Sequence, residues 1–252
     1  MKAVPAYLLL LLALIVLFTQ CEKEPYPVNF PDNAFLIALI SVGVDTNGDG
    51  IISVPEAEAI DTLDIHGRLI KSLEGIGAFV NLVYLECHNN ELTRLDLSMN
   101  TKLEELYCHT NQIISLDVSK CIPLSILDCS RNQLTSMDLS NNTVLTELNC
   151  DSNQLSSLYI SNCIQLVRFL CTGNLLSNLD ISKNSALDLL LCESNQLTSL
   201  DISKNTSLTD IYLDDMPTLN EVCVWTTPFP PDGVWVRSGN SPNINFTTEC
   251  SK

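Results

Sequence analysis

Apolar and polar positions follow one another along this chain with a long, fixed period. From Leu82 to Ser207 a 21-residue unit recurs six times, opening at Leu82, Leu103, Leu124, Leu145, Leu166 and Leu187, and a seventh copy opens at Leu208. With few departures each unit reads L-x-x-L-x-C-x-x-N-x-L-x-x-L-D-x-S and then a polar turn. Self-similarity at such a period predicts a solenoid. The second apolar residue and the cysteine lie two apart, so both face inward on a short strand while their neighbours face out. One repeat cannot bury its own apolar side. Rungs stacked ~4.8 Å apart make one continuous core, and eight of them span roughly 40 Å.

The inward and turn positions form columns. Cysteine stands at 87, 108, 129, 150, 171 and 192, and asparagine at 90, 111, 132, 153, 174 and 195. Stacked asparagines can satisfy backbone groups of the turns that burial would otherwise leave without partners. An aspartate column (Asp96, Asp117, Asp138, Asp180, Asp201) runs beside a serine column from Ser98 to Ser203. Like charges about 5 Å apart repel unless each accepts hydrogen bonds, so the reading here is structural.

These columns resemble the bacterial leucine-rich repeat proteins, close to the internalin type but with cysteine at the last inward strand position. The resemblance covers residues 60–222, without a gap from Leu82. Tyr159 interrupts the aspartate column, Cys121 and Cys163 replace the turn asparagine seen at Asn100, Asn142, Asn184 and Asn205, and Leu213 ends the cysteine column. The resemblance implies an α/β-type solenoid of about eight 21–22-residue rungs with a parallel sheet on the concave face. It also implies a helical cap at 32–59 and a cap of short strands at 223–252. Residues 60–81 read as the first repeat, and its insert Gly75–Phe79 is similar to the first rungs of internalin-type proteins. By analogy, such a module is a non-enzymatic adhesion or surface-binding protein. It would recognise a protein or glycan through the concave face.

The ends change the picture. Lys2 precedes an apolar run from Val4 to Phe18, shorter than the ~20 residues of a spanning helix. It reads as a signal peptide over residues 1–20. Cys21 follows directly and resembles the lipidation site of bacterial lipoproteins, although Gln20 departs from the small residue usual there. The expectation is export, with a lipid anchor at the bacterial outer membrane or cell surface as the only membrane contact. Residues 21–31 read as a tether, and the molecule as a monomer.

A second motif follows the tether. Asp45-Thr46-Asn47-Gly48-Asp49-Gly50-Ile51-Ile52-Ser53-Val54-Pro55-Glu56 is a full twelve-residue EF-hand loop. Asp45, Asn47 and Asp49 offer side-chain oxygens, Ile51 a carbonyl, Ser53 a direct or water-bridged oxygen and Glu56 a bidentate carboxylate. The expected cofactor is one structural calcium ion locking the N-terminal cap. The alternative is a metal-free turn in which Ser53 and Glu56 form a capping box for a helix from Val54 to Ile60.

Composition narrows the partners. Thirteen basic against 30 acidic residues give a net charge of −17. That argues against nucleic acid, which needs clustered Lys and Arg. Of the 11 cysteines, six lie in the inward column and behave as small buried hydrophobes. Cys121 and Cys163 stand two rungs apart, roughly 10 Å, too far to bridge. Cys223 and Cys250 lie outside the repeats and are expected to pair, which stabilises that end by roughly 3.5 kcal/mol in the loop-entropy picture.

Candidate contacts lie on the outward strand positions. All three histidines (His66, His88, His109) fall in one outward column on consecutive rungs, beside Asp64, Glu86, Tyr107 and Asp128. Imidazoles next to carboxylates can bind a zinc-like ion or titrate near neutral pH, or simply tolerate a solvated column. Arg168, Leu170, Leu189, Leu191 and Tyr212 form an outward cluster that reads as exposed apolar surface. Glu105, Glu147, Asp151, Asp188, Glu193, Asp210, Asp214 and Asp215 also face out and read as a solvated acidic face. No glycine-rich phosphate loop, G-x-S-x-G or H-E-x-x-H motif occurs, so catalysis is not expected. Two alternatives to ligand binding stay open: an envelope scaffold without a dedicated ligand, and a metal-dependent site at the histidine column.

Overall fold

A computed structural model describes residues 26–250. The expected signal peptide, Cys21 and the tether up to residue 25 lie outside that range. Nine parallel strands form one sheet: β1 (Thr62–Asp64), β2 (Tyr84–Glu86), β4 (Glu105–Tyr107), β6 (Ile126–Asp128), β7 (Glu147–Asn149), β8 (Arg168–Leu170), β9 (Leu189–Leu191), β11 (Asp210–Tyr212) and β13 (Trp235–Arg237). On the return side, β3 (Leu95–Asp96) pairs with β5 (Leu116–Asp117), and β12 (Glu221–Cys223) lies between β10 (Ser199–Asp201) and β14 (Asn245–Thr247). Register is direct from rung to rung, as in Leu85↔Leu106 and Leu106↔Leu127.

The core is the space between the two sides. Leu82, Leu85, Cys87, Leu92 and Leu97 of one rung are buried, and the same positions are buried in each rung to Ile202. Burying a leucine contributes roughly 1.5–3 kcal/mol, and here the contribution repeats at fixed spacing. The six column cysteines, with Cys121 and Cys163, are buried free thiols. Burial pushes the thiols of Cys87 and Cys192 up to about 12 and those of Cys121 and Cys163 up to about 11.

Asparagine carries the turns. Asn111 Nδ2 donates to the carbonyls of Cys87 on the preceding rung and Cys108 on its own, while its Oδ1 accepts from Leu92 N at 3.0 Å. Asn132, Asn153, Asn174 and Asn195 repeat this pattern. The residue before each ladder asparagine lies in the left-handed region: Asn89, Thr110, Arg131, Ser152, Gly173 and Ser194, with φ from 53° to 68°. Each aspartate of the return column accepts the N–H of the serine two residues on, as in Asp117 Oδ1 from Ser119 N at 2.9 Å. Those bonds hold the Asp117 and Asp138 carboxyls below their ordinary value.

Helix α1 (Asn33–Ser41) is capped by Asp32, whose Oδ1 accepts from Ala34 N and Phe35 N. Its Oδ2 accepts from Lys71 N and Ser72 N, so one carboxylate ties the cap to the first rung. Helix α2 spans Val54–Glu58, shorter than the expected Val54–Ile60. Ala59 N and Ile60 N turn to the carbonyls of Glu56 and Ala57, which tightens the last turn and delivers the chain to β1.

The C-terminal segment continues the solenoid. β13 pairs with β11 and β14 with β12, both parallel, so the chain adds a ninth rung to both sides. Within the expected cap of short strands, the register against β10, β11 and β12 sets the bounds of β12, β13 and β14. Cys223 and Cys250 are disulfide-bonded, with Cα atoms 5.4 Å apart.

Candidate functional site: the concave face

Three outward columns cross the nine-stranded sheet. The first runs Thr62, Tyr84, Glu105, Ile126, Glu147, Arg168, Leu189, Asp210, Trp235. The second runs Asp64, Glu86, Tyr107, Asp128, Asn149, Leu170, Leu191, Tyr212, Arg237. The third begins at His66, His88 and His109 and continues through Ser130, Asp151, Thr172, Glu193 and Asp214, joined rung to rung by backbone hydrogen bonds. The inward positions barely change from rung to rung, whereas the outward ones change at almost every step. Carboxylates (Asp64, Glu86, Glu105, Asp128, Glu147, Asp151, Glu193, Asp210, Asp214) far outnumber the guanidiniums of Arg168 and Arg237 on this face.

The three histidines stack. Ring centroids of His66 and His88 are 4.7 Å apart with planes 2° apart, and those of His88 and His109 are 4.3 Å apart at 16°. His66 Nδ1 lies 2.6 Å from Asp64 Oδ1, and His88 Nδ1 lies 3.1 Å from Glu86 Oε1. Burial holds His88 below the usual histidine range, and the neighbouring His109 adds to this. Tyr84 and Tyr107 lie alongside with ring centroids 5.5 Å apart, their hydroxyls donating to Glu86 and Glu105.

Two expectations need correction. Leu170, Leu189, Leu191 and Tyr212 are half-buried, not a bare patch, because side chains one rung apart shield one another. The Arg237 guanidinium sits over the Tyr212 ring at 5.4 Å and pairs with Asp214 at 2.9 Å. The acidic stretch at this end is also not simply solvated. Asp214 is buried, and its Oδ1 accepts the Gly239 N–H. Burial pushes the Asp151 carboxyl up to about 6, and burial together with a hydrogen bond to Asp214 raises that of Glu193.

The loop at 45–56 folds around its own backbone. Asp45 accepts from Gly48 N and Gly50 N, Asn47 from Asp49 N, and Asp49 from Ile51 N. Gly50 has φ 81°, which the sharp turn requires. Asn47 and Asp49 are exposed, Asp45 is half-buried, and all three keep lone pairs for a cation. Glu56 is different: Oε1 accepts from Thr46 N and Oγ1, and Oε2 from Ser53 N and Oγ. Ser53 and Glu56 therefore form the capping box of α2. The donor set fits calcium through Asp45, Asn47, Asp49 and the Ile51 carbonyl. Glu56 would serve as a ligand only by releasing Thr46 or Ser53.

Away from the sheet, a groove of about 920 Å³ runs between the turn at Gly75–Ala78 and the return residues Arg94 to Met99, bordered by Asp117 and Lys120. The concave face, with its changing outward columns, is the better site.

Comparison with solved structures agrees with this geometry. An internalin C2 from Listeria monocytogenes matches with a TM-score of 0.74 at 22% identity, covering 86% of this chain and 98% of that one. The chain has the internalin-type leucine-rich repeat fold. The functional domain of InlJ from Listeria monocytogenes, which includes a cysteine ladder, matches at 25% identity with a TM-score of 0.47. That match covers 85% of this chain, which spans only 61% of the InlJ domain. The plant peptide hormone receptor RGFR1, solved in complex with RGF2, matches with a TM-score of 0.54 at 20% identity over 77% of this chain and 37% of the receptor. No family model and no curated protein matches the sequence.

Sequence reasoning located the outward columns, but not the left-handed column beside them or the ninth rung. A clue to the first was Gly173, which stands where Ser152 and Ser194 stand on adjacent rungs.

Proposed function

We propose that this protein is a non-enzymatic surface-binding module that recognises a protein or glycan through the concave face of its leucine-rich repeat sheet. One observation carries the reading. The scaffold positions repeat from rung to rung, while three outward columns on a single rigid face vary freely. A rigid array of this kind presents a chosen set of side chains at low entropic cost on binding. The Leu170–Leu189–Leu191–Tyr212 cluster, flanked by Arg168 and Arg237, supplies half-buried anchors of the kind that dominate interfaces. The acidic remainder favours a basic partner and slows encounter with acidic ones. The scaffold alternative calls for caps folded over this face. Among the described residues the outward strand positions stay accessible, which favours ligand binding.

The same proposal includes export, lipid anchoring at Cys21, a monomeric state and one structural calcium ion in the loop at 45–56. The apolar run Val4–Phe18 before Cys21 supports the anchor, and the oxygen set of Asp45, Asn47, Asp49 and Ile51 supports calcium. Among the described residues no helix is long and apolar enough to cross a membrane.

The test is a screen of the full chain against arrays of glycans and cell-surface proteins, run with two variants in parallel. Tyr107→Ala/Leu191→Ala/Tyr212→Ala alters the concave face, and Ile114→Ala/Ile122→Ala/Ile164→Ala alters the exposed return side. Binding lost only in the first variant supports the reading. Binding that survives in the first and disappears in the second overturns it.

A further inference from the structure

We propose that His66, Glu86 and His88 form a zinc-binding site at the N-terminal end of the concave face. This goes beyond the ligand-binding reading and does not depend on it. One ligand atom from each of the three residues lies within 4.8 Å of the other two, and this is the cluster of that kind found among the described residues. Two imidazoles and a carboxylate are a donor set that zinc takes in open sites, with the fourth position left for water or an incoming group.

The geometry of the pair at the centre is specific. His88 Nδ1 and Glu86 Oε1 are 3.1 Å apart, close to the roughly 3.3 Å between two ligands of a tetrahedral zinc with metal–ligand distances of ~2.0–2.1 Å. The His88 nitrogen is buried and makes no aligned hydrogen bond there. In the tautomer with the proton on Nε2, His88 Nδ1 and the Glu86 oxygen are both acceptors, so bringing them this close is unfavourable. A cation between the two satisfies both. This unpartnered nitrogen is independent of the clustering itself and points to a ligand.

The surroundings hold the donors in place, as metal sites require. Tyr84 Oη donates to Glu86 Oε2 at 2.7 Å, which fixes the carboxylate and turns the other oxygen towards His88. Asp64 Oδ1, 2.6 Å from His66 Nδ1, fixes the first imidazole and places one more oxygen beside the site. His88 is clamped between the rings of His66 and His109, so the central ligand cannot swing away. His66 and Glu86 are more open, with side chains 50% and 25% exposed, so water can reach the fourth position.

The test uses the metal-stripped full chain, titrated with Zn²⁺ by calorimetry at pH 7.5 and separately with Co²⁺ followed by visible absorption. One equivalent of Zn²⁺ is expected, with affinity reduced at least about tenfold in His66→Gln and in Glu86→Gln. Both side chains are partly exposed, so neither change threatens the core. Glu91→Gln, outside the cluster, binds as the wild type does. The Co²⁺ spectrum is expected to show the ligand-field bands of nitrogen and oxygen donors without a thiolate charge-transfer band. The proposal is overturned by no stoichiometric uptake, by uptake unchanged in His66→Gln and Glu86→Gln, or by a thiolate band placing the metal on cysteine.

Discussion

Glu56 Oε1 accepts the backbone N–H of Thr46 at 2.8 Å, and this contact ties the start of the acidic loop to helix α2. Its other oxygen holds Ser53 N at 2.9 Å. The Ser53 N–H first, and then Thr46 and the Ser53 hydroxyl, outweigh burial and bring the Glu56 carboxyl down to about 2. A depressed carboxylate contributes stability above its unfolded value near 4.5 and loses it as the pH falls towards 2. The N-terminal cap is expected to loosen over that window, before the repeats. Glu56→Gln should reproduce the loosening at neutral pH and flatten the acid response, as read by hydrogen exchange of Val44 and Ile52.

The asparagine ladder sets a second prediction. Asn153 donates to Cys129 and Cys150 carbonyls and accepts from Leu134 N, all buried. Asn153→Ala strands these groups and should cost on the order of 3 kcal/mol. Asn142 sits in the other column, where its Nδ2 holds Val118 and Cys121 carbonyls but its Oδ1 has no partner. Cysteine already fills that position at 121 and 163. Asn142→Cys should therefore cost under about 1 kcal/mol. Urea midpoints of the two variants make the comparison.

Thr110 is β-branched and sits at φ 55°. The left-handed conformation costs a non-glycine residue roughly 1–2 kcal/mol. Gly173 adopts it without crowding on an equivalent rung, its nearest neighbour to an added Cβ being Ser152 at 3.7 Å. Thr110→Gly should raise the melting temperature, part of the gain being offset by greater freedom of the unfolded chain. Unchanged or lower stability would show that the Thr110 hydroxyl contact with His109 at 3.2 Å outweighs the strain.

The column thiols are buried and their deprotonation is strongly opposed. A thiol reagent at pH 8 should label none of the eight free cysteines of the described residues in the native protein, and all eight after unfolding. Mass spectrometry of the labelled chain gives the count. Fast labelling of Cys129 or Cys150 without denaturant would mean that the central rungs open.

The parts that were legible in sequence are those where a position repeats with the same residue type. Leu85, Cys87 and Asn90 recur every 21 residues, so their inward or turn roles follow from the period alone. The left-handed column was not legible, since Asn89, Thr110, Arg131 and Ser152 share a backbone conformation and no side-chain chemistry. The ninth rung was hidden for a related reason: Trp235–Arg237 lacks the leucine and cysteine pattern, and only its pairing with Asp210–Tyr212 identifies it. At the loop, Ser53 and Glu56 suit both a calcium site and a capping box, so residue types alone could not separate the two. The stacking of the histidines followed from their shared column. The burial that leaves His88 Nδ1 without a partner needed the packed rings on either side.

The central claim is that ligand is taken on the concave face. Site-specific photocrosslinking tests it most directly, with the photoreactive residue placed at Asn149 in the middle of the nine-stranded sheet or at Ile122 on the exposed return side. Each full-length protein is incubated with intact cells and irradiated. Covalent adducts of defined mass from position 149, and none from position 122, are the predicted result. Adducts from position 122 alone, or none from either, would contradict the account.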